Sequence, residues 1–147
     1  MAEQSKWQVT DKMIEATIAH EYYFKANQGV IGVHAEIAAG EWAEGDTRPV
    51  AHVELHTALN LITICVLVLV NGYTLTGKSV CLDPAVFDEE LGKKYARQDA
   101  IKQAYPVFAF SLAQLRAFEV QQADLAARIA AAQKELISKV NPDAVNN

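Results

Sequence analysis

Lys78, Lys93, Lys94 and Arg97 are the residues whose types and spacing come nearest to a chemistry in this chain. Lys93 and Arg97 are one helical turn apart, and Lys78 belongs to a neighbouring hairpin strand. With Thr74, Thr76 and Tyr95 alongside, they make a candidate site for a small phosphorylated ligand. A guanidinium offers phosphate a planar two-pronged donor, and an aromatic ring stacks on a base. The competing reading is a solvated helix face on which these cations pair with Asp88, Glu89 and Glu90 through contacts one turn apart.

Other constellations point away from catalysis. Gly72 to Ser79 matches the spacing GxxxxGKS, but a phosphate-binding loop of that kind joins a strand to a helix N-terminus. Here Gly77-Lys78-Ser79 sits within a strand, so nucleotide hydrolysis is not expected. His52, Glu54 and His56 share one face of a short strand and carry groups that bind zinc or nickel. No further ligand stands at a typical spacing, and a solvated strand face is the better reading. Cys65 and Cys81 lie in apolar strands, where a thiol stays protonated, so both are assigned to packing. Asp46, Asp83 and Asp88 form no acid–base pair. No catalytic residue, metal or cofactor is expected.

Charge narrows the partners. The net charge of −5 is carried by residues 1–60, where Lys6, Lys12, Lys25 and Arg48 face nine acids. Residues 61–105 and 106–147 are each balanced. Without a basic tract, general nucleic-acid binding through phosphates is not expected. The acidic first 60 residues are either a partner surface or ordinary solubilising charge. The first residues carry no secretory pattern, and the most apolar run, Leu61–Val70, is too short to span a membrane. Free thiols fit a reducing compartment, so a cytoplasmic protein is expected.

These groups must be positioned by a small set of elements. Thr10 caps a helix over Asp11–Lys25, with Ile14, Ile18 and Tyr22 as its apolar stripe. Val30–Ile37 alternates like a half-buried strand, with helix as the alternative. Gly40–Pro49 reads as an acidic loop, and Val53 and Leu55 as a short strand. Leu61–Val70, Asn71-Gly72 and Tyr73–Leu82 form a β-hairpin, because Asn-Gly between β-branched runs suits a two-residue turn. That turn pairs Val70 with Tyr73 and Val68 with Leu75. One face then carries Ile62, Ile64, Val66, Val68, Leu75 and Gly77, and reads as the core. The other carries Cys65, Leu67, Leu69, Thr74, Thr76 and Lys78, so Cys65 and Cys81 lie on opposite faces and do not pair. A strand apolar on both sides needs two covers, and the second is assigned to another subunit.

Asp83-Pro84 starts a helix that breaks near Asp88 and reaches about Ala104, with Gly92, Ala96, Ala100 and Ala104 as a small-residue stripe. Pro106 interrupts it. A second helix covers Ser111–Lys139. Along it Leu115, Phe118, Gln122, Leu125, Ile129, Ala132 and Leu136 alternate steps of three and four, a short heptad seam. Its apolar members Leu115, Phe118, Leu125, Ile129 and Leu136 are assigned to a homo-oligomer interface.

The central segment resembles a family of small tailed-phage proteins founded on gene product forty-nine of phage N4 and gene product sixty-six of phage Sf6. The resemblance rests on Asn71-Gly72-Tyr73, Thr76-Gly77-Lys78-Ser79-Val80-Cys81, Phe87-Asp88, Gly92, Ala96, Ala100 and Tyr105-Pro106. It covers roughly residues 59–110 and, more loosely, the first helix. It departs at Val107-Phe108-Ala109-Phe110, where the family usually shows an acidic Gly-aromatic stretch. The resemblance implies a phage or prophage accessory protein acting in the infected bacterial host, an anti-defence role being one class, and transfers no catalytic residue.

The expected fold is therefore α+β: a small antiparallel sheet built on the central hairpin, packed by helices, with a long C-terminal helix. Residues 1–110 are expected to form the family domain and 111–147 a helical extension of the same unit. The expected function is non-enzymatic binding as a homo-oligomer. Its favoured form sequesters a small nucleotide-type immune signal, and its alternative inhibits or regulates a host protein through the acidic N-terminal region.

Overall fold

Asn71-Gly72 does turn the chain between two β-branched runs, but it does so with one more residue than a two-residue turn contains. The computed structural model describes residues 5–40 and 57–142. Of the two turn residues Gly72 alone takes a positive φ, 83°, and Asn71 does not. A type I′ turn needs positive φ at both central positions. The Gly72 amide instead donates to the Leu69 carbonyl, and the Leu69 amide donates to the Tyr73 carbonyl, both at 2.8 Å. The loop is thus Val70-Asn71-Gly72, a three-residue hairpin connection closed by a left-handed glycine. Asn71 contributes by accepting the Tyr73 amide on its side-chain oxygen at 3.0 Å.

This one-residue difference shifts the pairing and inverts the expected faces. Strand β2 (Ile62–Leu69) pairs with a strand at Thr74–Val80, Val68 opposite Thr74 and Cys65 opposite Gly77. The covered face carries Thr63, Cys65, Leu67, Leu69, Leu75 and Gly77, and Ile62, Ile64, Val66 and Val68 lie on the half-buried side. By the same alternation Cys65 and Cys81 belong to one face, not two. Both are free: Cys65 stands opposite Gly77, and Cys81 lies four residues beyond Gly77, its amide bonded to the Leu61 carbonyl at 3.0 Å.

The N-terminal segment corrects the expected 15-residue helix over 11–25. Helix α1 is only Asp11–Thr17, capped by Thr10, whose hydroxyl accepts the Met13 amide at 3.3 Å. From Ile18 the chain is extended, and Ile18–Lys25 forms strand β1. The aromatic run Tyr22-Tyr23-Phe24 favours a pleated surface, and β2 supplies the ladder. Glu21, Tyr23 and Lys25 pair across Leu67, Cys65 and Thr63. The periodicity Ile14–Ile18–Tyr22 is thereby divided between a helix and a strand.

Ala26–Ala38 then forms helix α2 rather than the alternating strand expected over 30–37. The Lys25 amide donates to the Gln28 side chain at 2.7 Å, which turns the chain out of β1 into the helix. With the hairpin strand Thr74–Val80 as β3, the sheet order is β1-β2-β3, antiparallel throughout. The fold is α+β, as expected from the hairpin and the flanking helices. The acidic loop over 40–49 and the strand expected at 53–55 lie outside the described residues, apart from Gly40.

After a 3-10 turn at Pro84–Val86, helix α3 runs Glu89–Val140 and contains Pro106. The expected break near Asp88 is present, and Asp88 caps the helix by accepting the Leu91 amide at 2.9 Å. The expected interruption at Pro106 is not. A proline removes one intrahelical bond and kinks a helix without having to end it, and the Ala-rich sequence beyond it favours helix. The chain divides into two compact units, Thr10–Val107 and a second that unites the N-terminal residues with those from Phe108 onward.

Gly92, Ala96, Ala100 and Ala104 are the buried residues of α3. A Cβ on Gly77 would overlap the Ala96 carbonyl and the Ala100 amide, and one on Gly92 would crowd the Thr63 hydroxyl. Gly77→Ala is therefore expected to cost about 3 kcal/mol, because the obstacle is backbone and cannot rotate away. Gly29, in α2, has open space around its Cα, so Gly29→Ala is expected to gain about 0.5–1 kcal/mol from helix propensity. Chemical denaturation of the two variants measures the contrast.

Candidate functional site

Close approach of α3 to the covered sheet face brings its polar side chains over β1 and α1. Arg97 is the centre of what results. Its guanidinium grips Glu15 of α1 with two parallel bonds of 2.6 and 2.7 Å and Glu21 of β1 with two more of 2.6 and 2.9 Å. Two-pronged guanidinium–carboxylate pairs are among the stronger hydrogen-bonded contacts. Bonding to Arg97 is the main reason the Glu15 and Glu21 carboxyls are held below the ordinary range, and the same bonds raise the Arg97 pKa.

Inward from Arg97 the polar contacts continue. The Tyr23 hydroxyl donates to Glu21 at 2.8 Å and stands beside Cys65. Burial, aided by the Glu21 bond, pushes the Tyr23 hydroxyl well above its usual value. Burial likewise pushes the Cys65 thiol up, which keeps it protonated and unreactive. On the outer side Tyr105 donates to Asp11. A cleft of about 390 Å³ opens there beside Arg97, Asp11, Glu15, Lys102 and Tyr105. Its lining holds both acids and bases.

The residues proposed for a phosphorylated ligand fall into separate neighbourhoods. Lys93 sits between Glu90 at 2.9 Å and Glu89 at 3.3 Å, and Glu89 also reaches Lys25 at 3.5 Å. Arg97 is committed to Glu15 and Glu21. Tyr95 is half-exposed. Thr74, Thr76 and Lys78 project from the sheet face opposite Gly77, where Thr76 pairs with Val66 and Lys78 with Ile64. Thr76 and Lys78 do share a cleft of about 240 Å³ with Ile62, Ile64, Asp99 and Gln103, but Lys93, Tyr95 and Arg97 do not line it. Leu115, Phe118, Leu125, Ile129 and Leu136 follow one another along α3 in the second unit, each at least half-exposed.

The profile of the phage protein (N4 Gp49/phage Sf6 gene 66) family matches residues 9–115. The chain belongs to this family. The match takes in α1, β1 and α2 as well as the hairpin, so the Arg97–Glu15–Glu21 cluster lies wholly inside the N4 Gp49/Sf6 gene 66 region. The N4 Gp49/Sf6 gene 66 profile stops at residue 115, at the first member of the heptad seam. No curated protein and no solved structure matches the chain. Among the described residues no group of His, Cys, Asp and Glu is arranged to hold a metal ion, and no helix is long and apolar enough to cross a membrane. His52, Glu54 and His56 lie outside the described residues.

Sequence reasoning found Arg97 but not its partners. Glu15 lies on a helix that was expected and Glu21 on a strand that was expected to be helix, and nothing local ties either to a residue on α3. Asp99 and Gln103 were likewise missed. The signal available was the alternation Glu21, Tyr23, Lys25, three polar-tipped residues that a strand reading would have placed together.

Because Arg97 depresses both carboxyls, the unfolded chain binds more protons than the folded one just below the unperturbed value of 4.5. The stability they contribute is complete above that value and is lost as pH falls through the lowered folded values. Arg97→Met is expected to cost about 1–2 kcal/mol near pH 7, after allowance for partial solvent exposure. It is also expected to flatten the loss of stability between about pH 5 and pH 3. Urea melts of wild type and variant across that range test both, and parallel curves would refute the assignment.

Proposed function

We propose that this phage accessory protein is non-enzymatic, binds protein rather than a small phosphorylated ligand, and works as a homo-oligomer in the cytoplasm of the infected host. The observation that supports a protein partner is the commitment of the cations. Arg97 already holds two carboxylates at 2.6–2.9 Å, and Lys93 holds two more. A phosphate arriving there would have to displace bonded carboxylates from each, exchanging one charged contact for another of similar strength. Sequestration of a nucleotide-type immune signal has correspondingly weaker support than inhibition or regulation of a host protein, an anti-defence role included.

Self-association has its own support in the second half of α3. Leu115, Phe118, Leu125, Ile129 and Leu136 are 50–64% exposed although they fall on a single heptad seam. A second copy supplies the matching seam. In an antiparallel pair Leu125 meets Ile129 of the second copy, Phe118 meets its Leu136, and Gln122 falls opposite Ala132. That arrangement repeats itself under a two-fold axis, the commonest symmetry of soluble oligomers.

Light scattering on the full chain is expected to give at least twice the 16.1 kDa of one copy. Leu125→Glu with Ile129→Glu is expected to return it to one copy, since the two charges would face apolar side chains. A monomeric wild type overturns the oligomer. In thermal-shift measurements, excess cyclic nucleotide is expected to leave the melting temperature unchanged. A shift abolished by Lys93→Ala with Arg97→Ala would overturn the protein-binding reading in favour of nucleotide sequestration.

A further inference from the structure

A strand at the edge of an open sheet offers every second residue's N–H and C=O to any strand that arrives. On β3 the ladder to β2 runs through odd-numbered residues, as the Leu69–Tyr73 and Cys81–Leu61 bonds at 2.8 and 3.0 Å show. Thr74, Thr76, Lys78 and Val80 therefore turn their backbone groups outward. At the middle of this edge both exposed polarities are occupied by side chains of α3. The Lys78 amide donates to the Asp99 carboxylate at 3.0 Å, and the Gln103 side-chain amide donates to the Thr76 carbonyl at 2.8 Å.

Asp99 and Gln103 are one helical turn apart and so share a face of α3. They present an acceptor and then a donor to two successive outward residues of β3, as a neighbouring strand would. Gly77, between those two residues, is what lets the helix backbone come near enough for them to reach. The edge they occupy is otherwise suited to pairing. Thr74, Thr76 and Val80 are β-branched, and apolar Ile62 and Ile64 line the cleft beside it.

We infer that Asp99 and Gln103 seal the β3 edge and prevent a second copy of this chain from adding its own β3 to the sheet. Any new strand would have to break both bonds before making its own. The seal acts on a different surface from the helical seam and does not depend on it.

Amide hydrogen exchange and light scattering on the full chain test this. In Asp99→Ala with Gln103→Ala, alanine favours the helix, and the Lys78 amide is expected to exchange at least ~10-fold faster than in wild type. The same variant is expected to exceed the wild-type mass increasingly as concentration rises. Adding Thr76→Pro is expected to restore the wild-type mass, because the Thr76 amide points outward and a proline there removes no β2–β3 bond. Unchanged exchange at Lys78, an unchanged mass, or growth that Thr76→Pro fails to reverse would each overturn the seal.

Discussion

Where β3 passes beneath α3, the absence of a side chain on Gly77 leaves room for the Ala96 carbonyl and the Ala100 amide. The helix therefore meets the sheet at backbone contact, one turn after Gly92 meets Thr63. Such an approach gives up the large apolar side chains that normally fill the space between layers. Close packing must replace them, and it does so with many short-range contacts that weaken steeply if the layers part. The distance also sets what polar side chains on the flanks of the helix can reach. Arg97 on one flank spans to α1 and β1. Asp99 and Gln103 on the other arrive at the outer edge of β3. A helix held farther out by ordinary side chains would draw the short Asp99 carboxylate away from the Lys78 amide.

Arg97 does for the near side of the unit what a larger hydrophobic core would do elsewhere. It joins α3 to α1 and β1, which lie far from it in sequence. Each partner carboxylate retains some solvent, so the pairs escape the full desolvation penalty of a buried ion pair. Removing the arginine would leave Glu15 and Glu21 facing each other without a counterion, so the group is more costly to break than its exposure suggests. The hydrogen-bonded line from Arg97 through Glu21 to Tyr23 gives the tyrosine a partner at the margin of the core.

The hairpin, the small-residue stripe and the cap at Asp83 were legible because each depends on neighbours within a few residues. The register was not, because it rests on whether one backbone or two turn left-handed. Asn tolerates that conformation and Gly favours it, so the dipeptide fits either turn, and a single residue of slack exchanges the two faces of β2. The segment 18–25 was unreadable for another reason. Its apolar spacing fits a helix, and only the ladder offered by β2, some forty residues away, decides for strand. For 26–38 the alternation was real but short, and the Gln28 bond to the Lys25 amide is a local signal that outweighs it. Of the candidate site, the cations were visible and their neutralisation by Glu15 and Glu21 was not. Glu21 comes into range through the strand that had been read as helix, and Glu15 from the helix that precedes it.

This neutralisation changes what the balanced charge of residues 61–105 means. Five bases against five acids left room for a local cationic surface if the acids lay elsewhere. Instead the strongest cation draws acids from residues 1–60, the segment with the excess, and turns part of the net charge of −5 into internal cross-links. Outside those cross-links the fold also presents apolar surface. The sheet face opposite α3 carries Tyr22, 56% exposed, and Phe24, 37% exposed, beside half-buried Val66 and Ile64. Aromatic side chains on a rigid sheet recognise protein surfaces through burial, at low entropic cost. The commitment of Arg97 to two carboxylates and this exposed aromatic face are the two features on which the proposed protein-binding reading rests.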